Sequence, residues 1–388
     1  MTTEVLELNP APNFLDNFNV ADFPYLEPDF ELPTTGESGW YETPDYRHKL
    51  PWQIIGDLET AKYIIMVHHG GPGDNIQASH IAPLLDIEGV AIFAYNQRLS
   101  GSGDKLSQYI GPDDEDPLLT HTPELLVGDV EDIRRTILKG KVVSHFGGSF
   151  ATALSMLHAE EYPETVENIE MWGITNARIE ELENLYAPDG RLATDRPLEY
   201  KRFSENAIPE ADREAVQGNS LALIKYYNEK MNLFLEGYDP KVAEDLAIAF
   251  GLLHLSAADP EQFSGLSELP TPVLVDIAKG MNIRPDLYAR VAMQYFAEYI
   301  TRVGEDEGDI IRNVGKLLVK QIYMVSGGED PLTLAINSEM LEKAIHDHAP
   351  LVVVHREVIE SGHHDRSHAP VQIALRAGAL ALFGQKVA

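Results

Sequence analysis

Three short runs limit what this chain can fold into. Residues 63–68 (Tyr-Ile-Ile-Met-Val-His), 89–95 (Gly-Val-Ala-Ile-Phe-Ala-Tyr) and 321–326 (Gln-Ile-Tyr-Met-Val-Ser) are almost unbroken apolar stretches of strand length. They do not alternate apolar with polar, so each predicts a strand buried on both faces. Glycine-rich loops follow all three, at 70–73, 101–103 and 327–328. Helical segments lie between strands. Residues 122–138 carry Thr122 at the cap, Pro123 at the first helical position and acids early on, and 334–348 and 371–382 also read as helices. Further strands are expected at 39–42, 48–55, 166–175 and 351–355. This alternation predicts an α/β fold with a mostly parallel sheet flanked by helices.

From about 176 to 300 the β-runs vanish and helical periodicity dominates, as at 221–235 and 286–300. A helical block between strands reads as a cap inserted over one end of the sheet. The expected organisation is an N-terminal arm (1–38), a first part of the core (39–175), the helical cap (176–305) and a second part of the core (306–388). The arm is rich in Pro, Asn, Asp and Glu, with scattered aromatics that suggest it lies on the body.

Composition removes several classes of function. The chain has 62 acidic against 30 basic residues, a formal charge of −32, which makes nucleic acid an unsuitable partner because phosphate binding needs basic patches. It has no cysteine, hence no disulfide, thiolate metal site or cysteine nucleophile. No apolar run is long enough to span a bilayer and no signal peptide is visible at the start, so a cytoplasmic protein is expected, with no membrane partner. Oligomeric state is not legible.

The stretch His145-Phe146-Gly147-Gly148-Ser149-Phe150-Ala151 follows a β-prone segment and precedes strong helix formers. Strand, glycines, serine and helix make the layout of a nucleophile elbow, in which the serine sits at the tip of a strained turn. A serine needs a base, and the base needs an orienting acid. On such a sheet the chain order is serine, then acid, then histidine. Gly327-Gly-Glu-Asp-Pro331 and Glu360-Ser-Gly-His-His-Asp365 follow the last two strands and supply both. Asp330 is preferred to Glu329 because it directly precedes the proline. His363 is preferred to His364 because it directly follows Gly362. His363, His364, Asp365 and His368 also form a candidate metal cluster, disfavoured because no matching ligands lie nearby in sequence; the serine chemistry needs neither metal nor organic cofactor. The oxyanion requires two N–H donors: the amide of Phe150, and one from the Gly70-Gly71 loop, with Gly71 chosen over Gly70. His68 and His69 read as structural.

His69-Gly-Gly-Pro-Gly73, then Asn96-Gln-Arg98 with Gly101 and Gly103, then Gly147-Gly-Ser-Phe150, together with the helix around Val127-Gly-Asp-Val-Glu-Asp-Ile-Arg134, resemble the proline iminopeptidase family of the α/β-hydrolase fold. The match covers about residues 60–175 well and 317–385 moderately. The family's pattern has Asp, Gly, Trp and Gly where this chain has Asn96, Leu99, Phe150 and Ala151. The resemblance implies a serine hydrolase with a helical cap that releases N-terminal residues, proline among them, from small peptides through an acyl-enzyme. It also implies a cap carboxylate for the substrate's free amine, and Glu229 in Lys225-Tyr-Tyr-Asn-Glu229 is the nearest match. The alternatives are an esterase or amidase on the same fold, and a non-catalytic binding protein on a hydrolase scaffold.

Overall fold

The computed structural model describes residues 11, 13–16, 18–27, 30–32, 35–45, 47–100, 117–232, 238–263, 265–280, 285–302, 310–360 and 369–383. Eight strands form one sheet: β1 (Thr35–Glu42), β2 (Lys49–Ile55), β3 (Tyr63–His68), β4 (Val90–Tyr95), β5 (Val143–Ser149), β6 (Val166–Ile174), β7 (Gln321–Gly327) and β8 (Val353–Ile359). The spatial order is β1-β2-β4-β3-β5-β6-β7-β8. β1 and β2 pair antiparallel, as do β2 and β4, and every later pairing is parallel.

The apolar runs are strands because both their faces are covered. Ile64 and Met66 join a core with Val130 and Ile133 of the Pro123–Thr136 helix and Leu154 of the Phe150–Glu161 helix. Ile65 and Val67 face the other way, into a core with Leu375 and Ala379 of the Ala369–Leu382 helix. A third core packs Ile322 and Met324 of β7 against Leu341 and Ile345 of the Ala335–His348 helix.

Most boundaries shift by one or two residues, and two differ by more. The last strand, expected at 351–355, lies at Val353–Ile359, in register from Gln321↔Val353 to Gly327↔Ile359. Leu351, apolar but 93% exposed, is outside it. β8 is an edge strand, so pairing with β7 rather than hydrophobicity sets its limits, and polar His355, Arg356 and Glu357 are tolerated. At the other end, β1 begins at Thr35, within the span expected for the arm. The described residues before it lie on the body: Phe14 and Leu15 enter the sheet's core, and the Tyr25 hydroxyl donates to Gln372 at 2.6 Å.

Between β6 and β7 the helices Ile179–Tyr186, Ser220–Met231, Pro240–Ala258 and Pro285–Arg302 enclose a core of their own, with Tyr186, Phe203, Tyr227 and Phe250 at its centre. The block meets the sheet through the Pro285–Arg302 helix. The Tyr295 ring lies 4.7 Å from that of Phe150, and Val291 crowds Gly73. Among the described residues no helix is long and apolar enough to cross a membrane.

Candidate active site

Ser149 ends β5 and caps the Phe150–Glu161 helix with φ 56° and ψ −127°. Non-glycine residues rarely occupy positive φ, and such strain persists only where the surroundings impose it. The surroundings here are tight. A Cβ on Gly147 would come within 2.6 Å of the Ala151 Cβ and 3.0 Å of the His68 carbonyl oxygen. One on Gly148 would lie 2.0 Å from the Trp172 indole. The glycines are therefore required by Ala151 and Trp172, and Ala151 occupies the fifth motif position without disturbing the turn. Thr152 secures it from the helix side: its hydroxyl donates to the Ser149 carbonyl at 2.7 Å and accepts from the Thr175 amide at 3.0 Å. Ser149 is the one residue of β5 that is not buried.

The Gly70–Gly73 loop lies against this turn. A Cβ on Gly70 would be 3.2 Å from the Ser149 Cβ and 3.8 Å from its Oγ, so the backbone of the loop passes directly beside the serine. Gly71 has φ 110° and precedes a cis bond to Pro72, and a Cβ there would lie 2.6 Å from the Gly73 nitrogen. His69 holds the loop. The Gln97 amide donates to its Nε2 at 2.9 Å, so Nδ1 carries the proton and donates to the Gly70 carbonyl, also at 2.9 Å. The Gln97 side chain donates to the His69 carbonyl at 2.8 Å. Phe150 begins its helix, and the first N–H groups of a helix have no partner within it. Phe150 thus follows Ser149 directly, and the Gly70 backbone passes beside it.

Asp330 follows β7 and is 2% exposed, whereas Glu329 is exposed. The Asp330 carboxylate accepts from the amides of Leu332 and Thr333 at 2.8 and 3.0 Å and from the Thr333 hydroxyl at 2.5 Å. His363 and His364 lie outside the described residues, as do Asp365, His368, Gly101 and Gly103. The last described residues before His363 lie next to the Asp330 loop: the Gly328 amide donates to the Ile359 carbonyl at 2.8 Å, and Gly328 packs against Glu360. Glu229 lies on the Ser220–Met231 helix, exposed, with the Lys230 ammonium 3.5 Å away. Among the described residues no group of three or more His, Asp or Glu side chains could hold a metal ion.

Three features escape a reading of the sequence. Arg98, 1% exposed, grips Asp129 bidentately at 2.5 and 2.8 Å and Asp45 at 2.5 Å, which makes it a brace for the loop after β4. The family motifs mark both Arg98 and Asp129, but not that they meet. Glu181, in the first turn of the Ile179–Tyr186 helix, accepts from the Thr175 hydroxyl at 2.9 Å and the Asn176 amide at 3.1 Å, and is linked to the elbow through Thr175 and Thr152. Burial pushes its carboxyl up to about 7 despite those donors. The third feature is a buried chain of histidines on β3, β5 and the elbow helix. An acid opening the helix after β6, the strand beside that of Ser149, is the signal that could have pointed to Glu181; the histidines are 77 and 13 residues apart in sequence and give none.

No family model matches the chain. Three curated proteins with proline iminopeptidase in their names are similar to it at 23–27% identity. The proline iminopeptidase of Arabidopsis thaliana is 24% identical over 298 residues, 76% of this chain and 68% of that protein. That of Neisseria meningitidis serogroup A is 23% identical over 337 residues, 86% of this chain and 92% of the relative. These bear out the resemblance read from the motifs. Among solved structures, a mutant of esterase E22 superposes with a TM-score of 0.56 at 13% identity, covering 89% of this chain and 98% of that one. The proline iminopeptidase of Mycobacterium smegmatis does so with 0.51 at 17% identity, covering 90% and 98%. With its eight-stranded, mostly parallel sheet flanked by helices, the chain has the α/β-hydrolase fold.

Proposed function

We propose that this chain is a serine hydrolase, an aminopeptidase of proline-iminopeptidase type that releases N-terminal residues, proline among them, from small peptides. The observation that carries the proposal is Ser149 held at φ 56°, after two glycines with no room for a side chain and with a glycine loop passing beside it. The names of the relatives support a hydrolase and make the peptidase the first activity to assay.

In the proposed mechanism Ser149 Oγ attacks the carbonyl carbon of the first residue while His363 takes its proton. Asp330, locked by its own loop's donors, orients the imidazole and stabilises its positive form. The amides of Phe150 and Gly71 receive the oxyanion. The imidazolium then protonates the departing amine, the C–N bond breaks, and water activated by the same base hydrolyses the acyl-enzyme. Substrate enters beneath the helical block acting as a cap. Glu229 is the cap acid the resemblance assigns to the substrate's free amine. Asp74, next to the glycine loop, and Glu181, linked to the elbow through Thr175, are further acids near Ser149.

Proline and other aminoacyl arylamides, assayed beside short acyl esters and simple amides, test the proposal. Cleavage of a free-amine arylamide, lost by a factor of about 10³ or more in Ser149→Ala, is the expected result. Ester turnover with no cleavage of any free-amine substrate would replace the peptidase by an esterase. Failure of a fluorophosphonate to label Ser149 would leave a binding protein.

A further inference from the structure

Beneath the proposed site runs a line of buried side chains that no step of the mechanism uses. The Tyr95 hydroxyl lies 3.1 Å from His68 Nδ1, His68 Nε2 lies 2.9 Å from His145 Nδ1, and His145 Nε2 lies 2.9 Å from His158 Nδ1. His158 Nε2 then lies 3.4 Å from Glu131 Oε2, and both Glu131 oxygens accept from Arg134 at 2.7 Å. The tyrosine and the three histidines are each no more than 1% exposed. We propose that Tyr95, His68, His145, His158 and Glu131 form a one-way hydrogen-bond relay that positions the nucleophile elbow against the glycine loop, with its direction set by Glu131.

Counting protons fixes the direction. Glu131 is held by Arg134 as a carboxylate, which can only accept, so His158 must carry its proton on Nε2. A neutral His158 then accepts at Nδ1, which requires the proton of His145 on Nε2. By the same step His68 carries its proton on Nε2 and accepts at Nδ1 from the Tyr95 hydroxyl. Reversing the line would strand the Tyr95 proton, since His68 is that hydroxyl's one hydrogen-bond partner among the described residues. The two ends therefore impose the same tautomer on all three imidazoles.

The members sit on the elements that build the site. His68 is the last residue of β3, with only His69 between it and the glycine loop; it pairs with Gly147 across the sheet. His145 is four residues before Ser149 on β5, and His158 lies two turns down the helix that Ser149 caps. Five hydrogen-bonding side chains thus tie β4, β3, β5, the elbow helix and the Pro123–Thr136 helix across one face of the sheet, and a fully satisfied buried network of this kind adds directional constraint to the apolar packing around it. The charged and titratable groups around the line are His69 beside His68, Asp129 and its partner Arg98 behind Tyr95, Arg134 beside Glu131, and Tyr162 with its ring 5.3 Å from that of His158. Burial holds His68 at about 3 and His145 well below the ordinary histidine range, and it outweighs the opposing pull of Glu131 on His158. On Glu131 burial acts upward, but the Arg134 and His158 contacts prevail and hold it at about 2. The relay is thus uncharged except at its Glu131 end near neutral pH.

The test reads tautomers in the full chain labelled with ¹⁵N at histidine, by long-range ¹H–¹⁵N correlation at pH 7. Neutral His68, His145 and His158, all with the proton on Nε2, are expected, and His69 provides the contrast because its proton belongs on Nδ1. Any of the three found charged, or with the proton on Nδ1, overturns the relay. In Glu131→Gln the amide can donate as well as accept, so Nδ1-protonated signals are expected to appear. The effect on turnover rests on the hydrolase proposal: with a substrate the wild type cleaves, kcat should fall about tenfold or more with KM within about twofold. Unchanged tautomers and unchanged kcat in that variant would overturn the positioning role. The tautomer measurement needs no activity, so failure of the relay and failure of the hydrolase proposal are separable.

Discussion

Glu170 occupies the middle of β6 with both carboxyl oxygens buried and without a hydrogen-bond partner among the described residues. Gly378 of the Ala369–Leu382 helix makes room for it; a Cβ there would lie 2.6 Å from Oε1. Burial pushes the carboxyl well above its ordinary range, and the nearby Ala379 amide, already inside a helix, offsets this only in part. The sign follows directly. Below about pH 4 the side chain is protonated in both folded and unfolded chains. As pH rises, the unfolded chain ionises and the folded one does not, so stability falls by up to ~1.4 kcal/mol per pH unit until the folded group also ionises. Glu170→Gln should therefore gain on the wild type between pH 4 and pH 8 by about 1 kcal/mol or more in urea midpoints, and parallel curves would show that Glu170 has a partner. Ser149 contrasts with Glu170 in legibility. Its turn is readable because glycine–glycine–serine between strand and helix is a local constraint, whereas a glutamate in an apolar strand carries no mark of lacking a partner.

At the scale of elements, Arg98 joins the end of β4 to the Pro123–Thr136 helix through Asp129 and to the turn around Asp45. Burial acts against the Arg98 charge, yet Asp129 and Asp45 outweigh it and raise its pKa; on Asp129 burial exceeds the help of Arg98, and its pKa goes up. Removing one partner of such a pair leaves a buried charge. Asp129→Ala is expected to cost about 3 kcal/mol or more by urea unfolding, and Arg98→Met combined with Asp129→Leu to recover most of that loss. A double variant as unstable as the single one would mean that Arg98 braces the loop by shape. Most elements are legible from pattern: 63–68 is a strand as read, and Thr122 caps its helix by accepting from the Leu125 amide. The last strand lies elsewhere than its apolar residues suggest because an edge strand is defined by its neighbour. Arg98 and Asp129 are visible as motif residues, but their contact spans 31 positions and requires the sheet.

For the whole molecule, 62 acids and 30 bases leave a folded chain that repels itself. The Debye length falls from roughly 30 Å at about 0.01 M salt to roughly 3 Å at about 1 M, so most of that repulsion is screened away. The thermal midpoint should rise across this range by several degrees, on the order of 2–4 °C for each kcal/mol relieved. A midpoint that is flat or falls with sodium chloride would show that the acids are already balanced by local partners. What the sequence determined by itself was the α/β class and the strand–glycine–serine–helix turn at Ser149, because each depends on neighbouring residues and on the short periods of strand and helix. Tertiary structure alone decided that the Gly70 backbone passes beside Ser149, that Trp172 and Ala151 dictate the glycines before it, and that His68, His145 and His158 meet in one line. Those contacts join residues that are distant along the chain, and only the parallel pairing of β3 with β5, with the elbow helix laid across them, brings their side chains within hydrogen-bond reach.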